Sequence, residues 1–104
     1  MIFVETSIFT EGVKALLSDD EYGALQAHLA EYPDAGDVIK ETGGLRKVCW
    51  KSGSKGKSGG VRVIYYHLTA DAQIRMLLIY RKGIQDTLTA KQKSVLRTLN
   101  ERWT

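Results

Sequence analysis

A chain of 104 residues, 43% of them hydrophobic, has material for one modest core, and a single domain over 1–104 is expected. No apolar run reaches membrane-spanning length and no signal-peptide pattern is present, so the expectation is a soluble, cytoplasmic protein without membrane association. The net charge of +3 hides an asymmetry: residues 1–45 carry two basic and nine acidic side chains, residues 46–104 thirteen basic and three acidic, which points to an anionic partner, most often nucleic acid.

In chain order, residues 2–9, IFVETSIF, read as a strand with apolar positions on both faces. A shorter helix is expected over 10–17. Ser18 and Glu21 then form a capping box, and Tyr22, Leu25, Leu29 and Tyr32 recur at helical spacing until Pro33 stops the helix. PDAGD reads as a loop. Gly43 and Gly44 deliver the chain into a meander of three strands near 45–51, 61–68 and 73–80, whose short connections imply antiparallel neighbours. Thr89 and Gln92 make a second capping box, opening a helix with Val95, Leu96, Leu99 and Trp103 on one face. The predicted class is α+β, a small antiparallel or mixed sheet of an N-terminal strand and a three-strand meander, with the N-terminal helices packed on one face and a C-terminal helix.

The connection KSGSKGKSGG, 51–60, contains the GKS tail of a phosphate-binding P-loop. That reading fails. Lys51 stands where the pattern needs glycine, and VRVIYYHL, an alternating β-branched and aromatic run, follows where a helix is required. The stretch reads instead as a flexible cationic connection between strands. Cys49, the one cysteine, excludes an internal disulfide and a cysteine-based zinc site. It reads as a small core residue. His28 and His67 lack partners at ligand spacing, so no metal and no other cofactor is expected.

Between Glu41 and Asp71 there is no acid, while Arg46, Lys47, Lys51, Lys55, Lys57 and Arg62 lie in that interval. Alternation puts Val61, Val63, Tyr65 and His67 on one face of their strand and Arg62, Ile64, Tyr66 and Leu68 on the other. Arg62 reads either as an ordinary surface arginine or as a guanidinium presented for bidentate contact with phosphate. Hairpin pairing brings it near Tyr80 and Lys82, with the loop lysines above. His67 belongs at the other end and reads as structural.

The order of elements, GGLRK at 43–47, KGKSGGVRVIYY at 55–66 and LLIYRK at 77–82 resemble the RelE/HigB family of type II toxin–antitoxin toxins. These are small ribonucleases that cut messenger RNA on the translating ribosome. The resemblance implies a RelE-like fold and metal-independent cleavage by 2′-hydroxyl attack on the adjacent phosphate. By matching position it gives catalytic roles to Lys57, Arg62, Tyr80 and Lys82. Arg62 would stabilise the pentacovalent phosphate, and Tyr80 and Lys82 would stack, position or protonate. RNA binding would fall to Arg46, Lys47, Lys51, Lys55 and Lys57, and crowded cations lower one another's pKa so that one lysine serves as base. Which group is acid and which base stays open, because Gly83 stands where some members carry arginine. The implied partners are a cognate antitoxin with a helix-turn-helix, the ribosome and its message, and operator DNA only through the antitoxin. The alternative is a non-catalytic basic module that docks on RNA, or a corepressor acting through its antitoxin.

Overall fold

A computed structural model of the chain describes residues 1–51, 60–84 and 87–103. Strand β1 (Ile2–Glu5) is followed by helices α1 (Ser7–Leu16) and α2 (Asp19–Glu31), then by strands β2 (Asp37–Val38), β3 (Arg46–Trp50), β4 (Val61–Leu68) and β5 (Gln73–Arg81), and by helix α3 (Ala90–Glu101). The five strands form one mixed sheet in the order β1-β5-β4-β3-β2, in which only β1 with β5 is parallel. The protein is thus α+β, with three helices on a five-stranded sheet.

The first strand is shorter than its apolar pattern predicts, because Thr6 ends it. The Thr6 hydroxyl accepts from the Phe9 N–H at 3.0 Å, capping α1, and donates to the Leu77 carbonyl at 2.8 Å, tying that helix start to β5. Residues 7–9 are therefore helical. The capping box at Ser18 forms as expected, with Glu21 returning to the Ser18 N–H at 2.9 Å, and so does the one at Thr89 and Gln92. Asp37–Val38, read as the end of a loop and the residue after it, pairs with Arg46–Lys47 as a short edge strand.

The helices do not share one face. Phe9 and Val13 of α1 and Leu25 and Leu29 of α2 bury against Val63, Tyr65 and Met76 on one side of the sheet. Leu96 of α3, with Leu88, buries against Leu45, Ile64 and Leu77 on the other. Burial of each such side chain is worth about 1.5–3 kcal/mol, so both layers matter to the fold. Sequence periodicity reports which stripe of a helix is apolar but not which side of the sheet receives it. On α3 the buried positions are Leu96 and Asn100, one turn apart, while Val95 and Leu99 stay exposed.

The β4–β5 ladder carries a bulge: Ile64 pairs with Leu78 and Tyr65 with Met76, leaving Leu77 as the extra residue. β4 opens on Gly60, which no other residue can replace without a shift. Its φ is +81°, and a Cβ there would lie 2.2 Å from the Trp50 carbonyl oxygen. The Gly60 carbonyl accepts from the Lys82 N–H at 3.1 Å, closing the ladder at this end.

Candidate anion-binding cleft

Cross-strand pairing assembles the site at the ends of the three central strands. Arg62 stands directly between Cys49 on β3 and Tyr80 on β5. Residues paired this way project to the same face, here the α3 side. Beside them is a cavity of about 370 Å³ lined by Cys49, Trp50, Lys51, Arg62 and Lys82. Among the described residues three cations surround it and no carboxylate lines it. A pocket of that size and sign suits an anion with some bulk, such as a phosphate with its attached sugar. The half-buried Arg62 emerges from a paired strand, so its fork is aimed rather than free to search, the geometry that favours bidentate phosphate contact.

Not every predicted residue joins this group. Lys55 and Lys57 lie outside the described residues. Tyr80 is adjacent to Arg62 but half-buried, packed on the core cluster of Leu45, Ile64 and Leu77, and it does not line the cavity. Lys47 shares the face of Cys49 and Lys51 yet lines a separate cavity of about 200 Å³ that includes its pairing partner Asp37. Arg46 is on the opposite face, where its guanidinium donates to the Gly36 carbonyl at 2.8 Å and the Asp34 carbonyl at 3.3 Å. Its Nε lies 3.6 Å from the Asp34 carboxylate.

Arg46 belongs to a staple that holds loop 33–36 at the far end of the sheet. The Tyr65 hydroxyl accepts from the Gly36 N–H at 2.9 Å and donates to the Pro33 carbonyl at 2.8 Å, and burial pushes its pKa up. His67 Nδ1 meets Asp34 Oδ1 at 3.0 Å. That hydrogen bond, followed by the charge of Arg46 against some desolvation, holds the Asp34 carboxyl below its ordinary range. His67 accordingly has a structural partner at the end away from the cleft. Among the described residues no three His, Cys, Asp or Glu side chains converge as metal ligands.

Cys49 is the correction here. It is exposed and lines the cavity, where its residue type argued for the core. Alternation along RKVCWK held the signal: Val48 is buried toward α1 and α2, so Cys49 falls with Lys47 and Lys51 on the opposite face. Trp50 also lines the cavity while packing against the first core and against His28, ring centroids 5.2 Å apart. A scan against protein-family models finds no family that matches the chain. Among the described residues no helix is long and apolar enough to cross a membrane.

Proposed function

We propose that the chain is a RelE/HigB-like toxin, a metal-independent endoribonuclease that cuts messenger RNA on the translating ribosome in the cytoplasm and is neutralised by a cognate antitoxin. The observation that carries this reading is the cleft in which Lys51, Arg62 and Lys82 surround about 370 Å³ with no lining carboxylate among the described residues. In the proposed step the 2′-oxygen bonds to the adjacent phosphorus and the P–O5′ bond breaks. The products are a 2′,3′-cyclic phosphate and a free 5′-hydroxyl. The 2′-hydroxyl proton passes to a base and another is delivered to the leaving oxygen.

Arg62 is assigned the charge that grows on the phosphorane, because a donor held on a paired strand is preorganised for it. Lys51 and Lys82 hold the flanking phosphates. Tyr80, paired with Arg62 across the β4–β5 ladder and packed on the second core, is assigned a positioning role. Lys57 remains in the reading as the candidate base.

The test is primer extension on a translated message with purified protein and ribosomes, followed by analysis of the product ends. Cyclic phosphate ends that form with the parent protein and vanish in Arg62→Ala are the expected result. Ribosome or RNA binding without any cleavage would instead favour the non-catalytic basic module.

A further inference from the structure

Trp50, the last residue of β3, is half-buried and lines the cationic cavity beside Lys51, Arg62 and Lys82. Its neighbours on the same face of the sheet are closed off: Val48 is buried, and so is Val61, its partner across the ladder. The indole alone stays partly open at this edge of the first core. Its other contacts hold it in place. The ring meets that of His28 with centroids 5.2 Å apart and planes tilted by 42°, and His28 in turn meets Tyr32 at 5.4 Å. Trp50 is thus the cavity end of a row of rings that begins on α2.

Cations and an aromatic ring in one cavity are the components of a single-strand nucleic-acid site: the charges take phosphates, and the ring takes a base by stacking. A phosphate by itself would leave most of the cavity's 370 Å³ empty. Arg62 follows Val61, the residue opposite Trp50, so Trp50 and Arg62 are diagonal neighbours across the ladder. Strand spacing and rise put their backbones about 6 Å apart. Their side chains leave opposite faces of the sheet and meet in one cavity because it lies where β3 ends and β4 begins. Lysine and arginine contacts to phosphate carry no base information, since every nucleotide has the phosphate. Among the described lining residues only Trp50 offers an aromatic face, so discrimination between bases falls to it.

We propose that Trp50 is the base-stacking residue of the cleft and gives it a preference for purines. The inference rests on the reading of the cleft as an RNA site and adds the side chain that senses the base. A purine covers more of an indole than a pyrimidine does, and the strength of stacking follows that overlap. Because His28 and the first core fix the ring beforehand, it loses little freedom when a base settles on it.

The experiment titrates the full chain with three ribose–phosphate oligomers of equal length and charge: oligoadenylate, oligouridylate and an abasic chain. Affinity is read by fluorescence anisotropy of a dye on the oligomer. Stacking is read by quenching of indole emission in a Trp103→Phe background, where Trp50 is the one remaining tryptophan. Adenylate should bind tightest and the abasic chain weakest, about fivefold or more apart, with quenching by the two base-bearing oligomers. Trp50→Leu should bring the three affinities together, and Trp50→Phe should restore most of the difference. The quenching is measured on a chain that keeps Trp50, so it holds even where Trp50→Leu disturbs the first core. Equal affinity for all three without quenching would overturn the inference and leave the anionic cleft standing. A base preference that survives Trp50→Leu would overturn it by placing the base elsewhere. Binding of none of the three would remove the cleft as an RNA site, and the inference with it.

Discussion

The guanidinium of Arg75 donates to both the backbone carbonyl and the side-chain oxygen of Asn100, each at 3.1 Å, where α3 ends. The same guanidinium lies 5.8 Å from the Tyr66 ring centroid and 5.4 Å from that of Trp103. A cation at a helix C-terminus satisfies carbonyls that have no partner within the helix and meets the negative end of its dipole. Hydrogen bonds to charged groups contribute about 1.5–3 kcal/mol. Arg75→Ala should therefore lower the melting temperature by roughly 6–24 °C, at 4–8 °C per kcal/mol for a domain near this size. A thermal melt with no change would mean that α3 is held by Leu96 and Leu88 alone.

Arg62→Ala should behave in the opposite way. Its partner in the proposed reaction is the substrate, so its removal should leave melting within a few degrees of the parent. Loss of one preorganised donor costs on the order of a hundredfold or more in rate. Cleavage on programmed ribosomes, read beside a melt of the same preparation, separates the two effects. A mutant that melts like the parent and cuts at the parental rate would remove Arg62 from the mechanism.

Salt dependence should distinguish the cleft cations from Arg46. For a single strand the logarithmic slope of affinity against salt is about −0.7 per phosphate neutralised. Lys51→Gln and Lys82→Gln should each flatten the slope for an oligoribonucleotide by about that amount. Arg46→Gln, which loses its bonds to loop 33–36, should leave the slope alone and lower the melting temperature. If Arg46→Gln flattens the slope as much as Lys82→Gln does, RNA contacts both faces of the sheet.

Acid should weaken the loop staple. The folded pKa of Asp34 lies below its ordinary value of 3.8, so the stability it contributes is fully present above that value and fades as pH falls through the lower, folded one. Asp34→Asn should be less stable than the parent near neutrality, and the two melting curves should converge below pH 3.8. Parallel curves down to the lowest pH would show that the contact with His67 and Arg46 makes no net difference to folding.

Much of the β-sheet and both capping boxes were legible because each rests on residues close in sequence. The alternation of VRVIYYHL sorts Val63 and Tyr65 from Ile64 and Tyr66, and these occupy two different cores. Ser18 with Glu21 and Thr89 with Gln92 report helix starts within one turn. The proximity of Arg62 to Tyr80 followed from a hairpin with a short turn. What escaped depends on partners distant in the chain. Thr6 ends β1 through a bond to Leu77, 71 residues away. Arg46 is drawn from the cleft by Asp34 and Gly36. The burial of Asn100 in place of Val95 or Leu99 makes sense only once Arg75 is across from it. Cys49 was legible from alternation, but the general tendency of cysteine to be buried argued the other way.

The extra residue at Leu77 acts as a parity switch within β5. Ile74 and Met76 face the α1–α2 core, and uninterrupted alternation would send position 80 to that same side and Ile79 to the other. Because Tyr65 skips from Leu78 to Met76, the phase reverses: Ile79 joins the α1–α2 core, and Tyr80 comes to the α3 side next to Arg62. Holding the same nine residues in unbroken alternation, without the bulge, would leave the composition of the strand intact while exchanging the faces of everything beyond Leu77. The tyrosine would be delivered to the first core and Ile79 to the flank of Arg62. A single backbone irregularity in the middle of the sheet thus decides which chemistry arrives at its end.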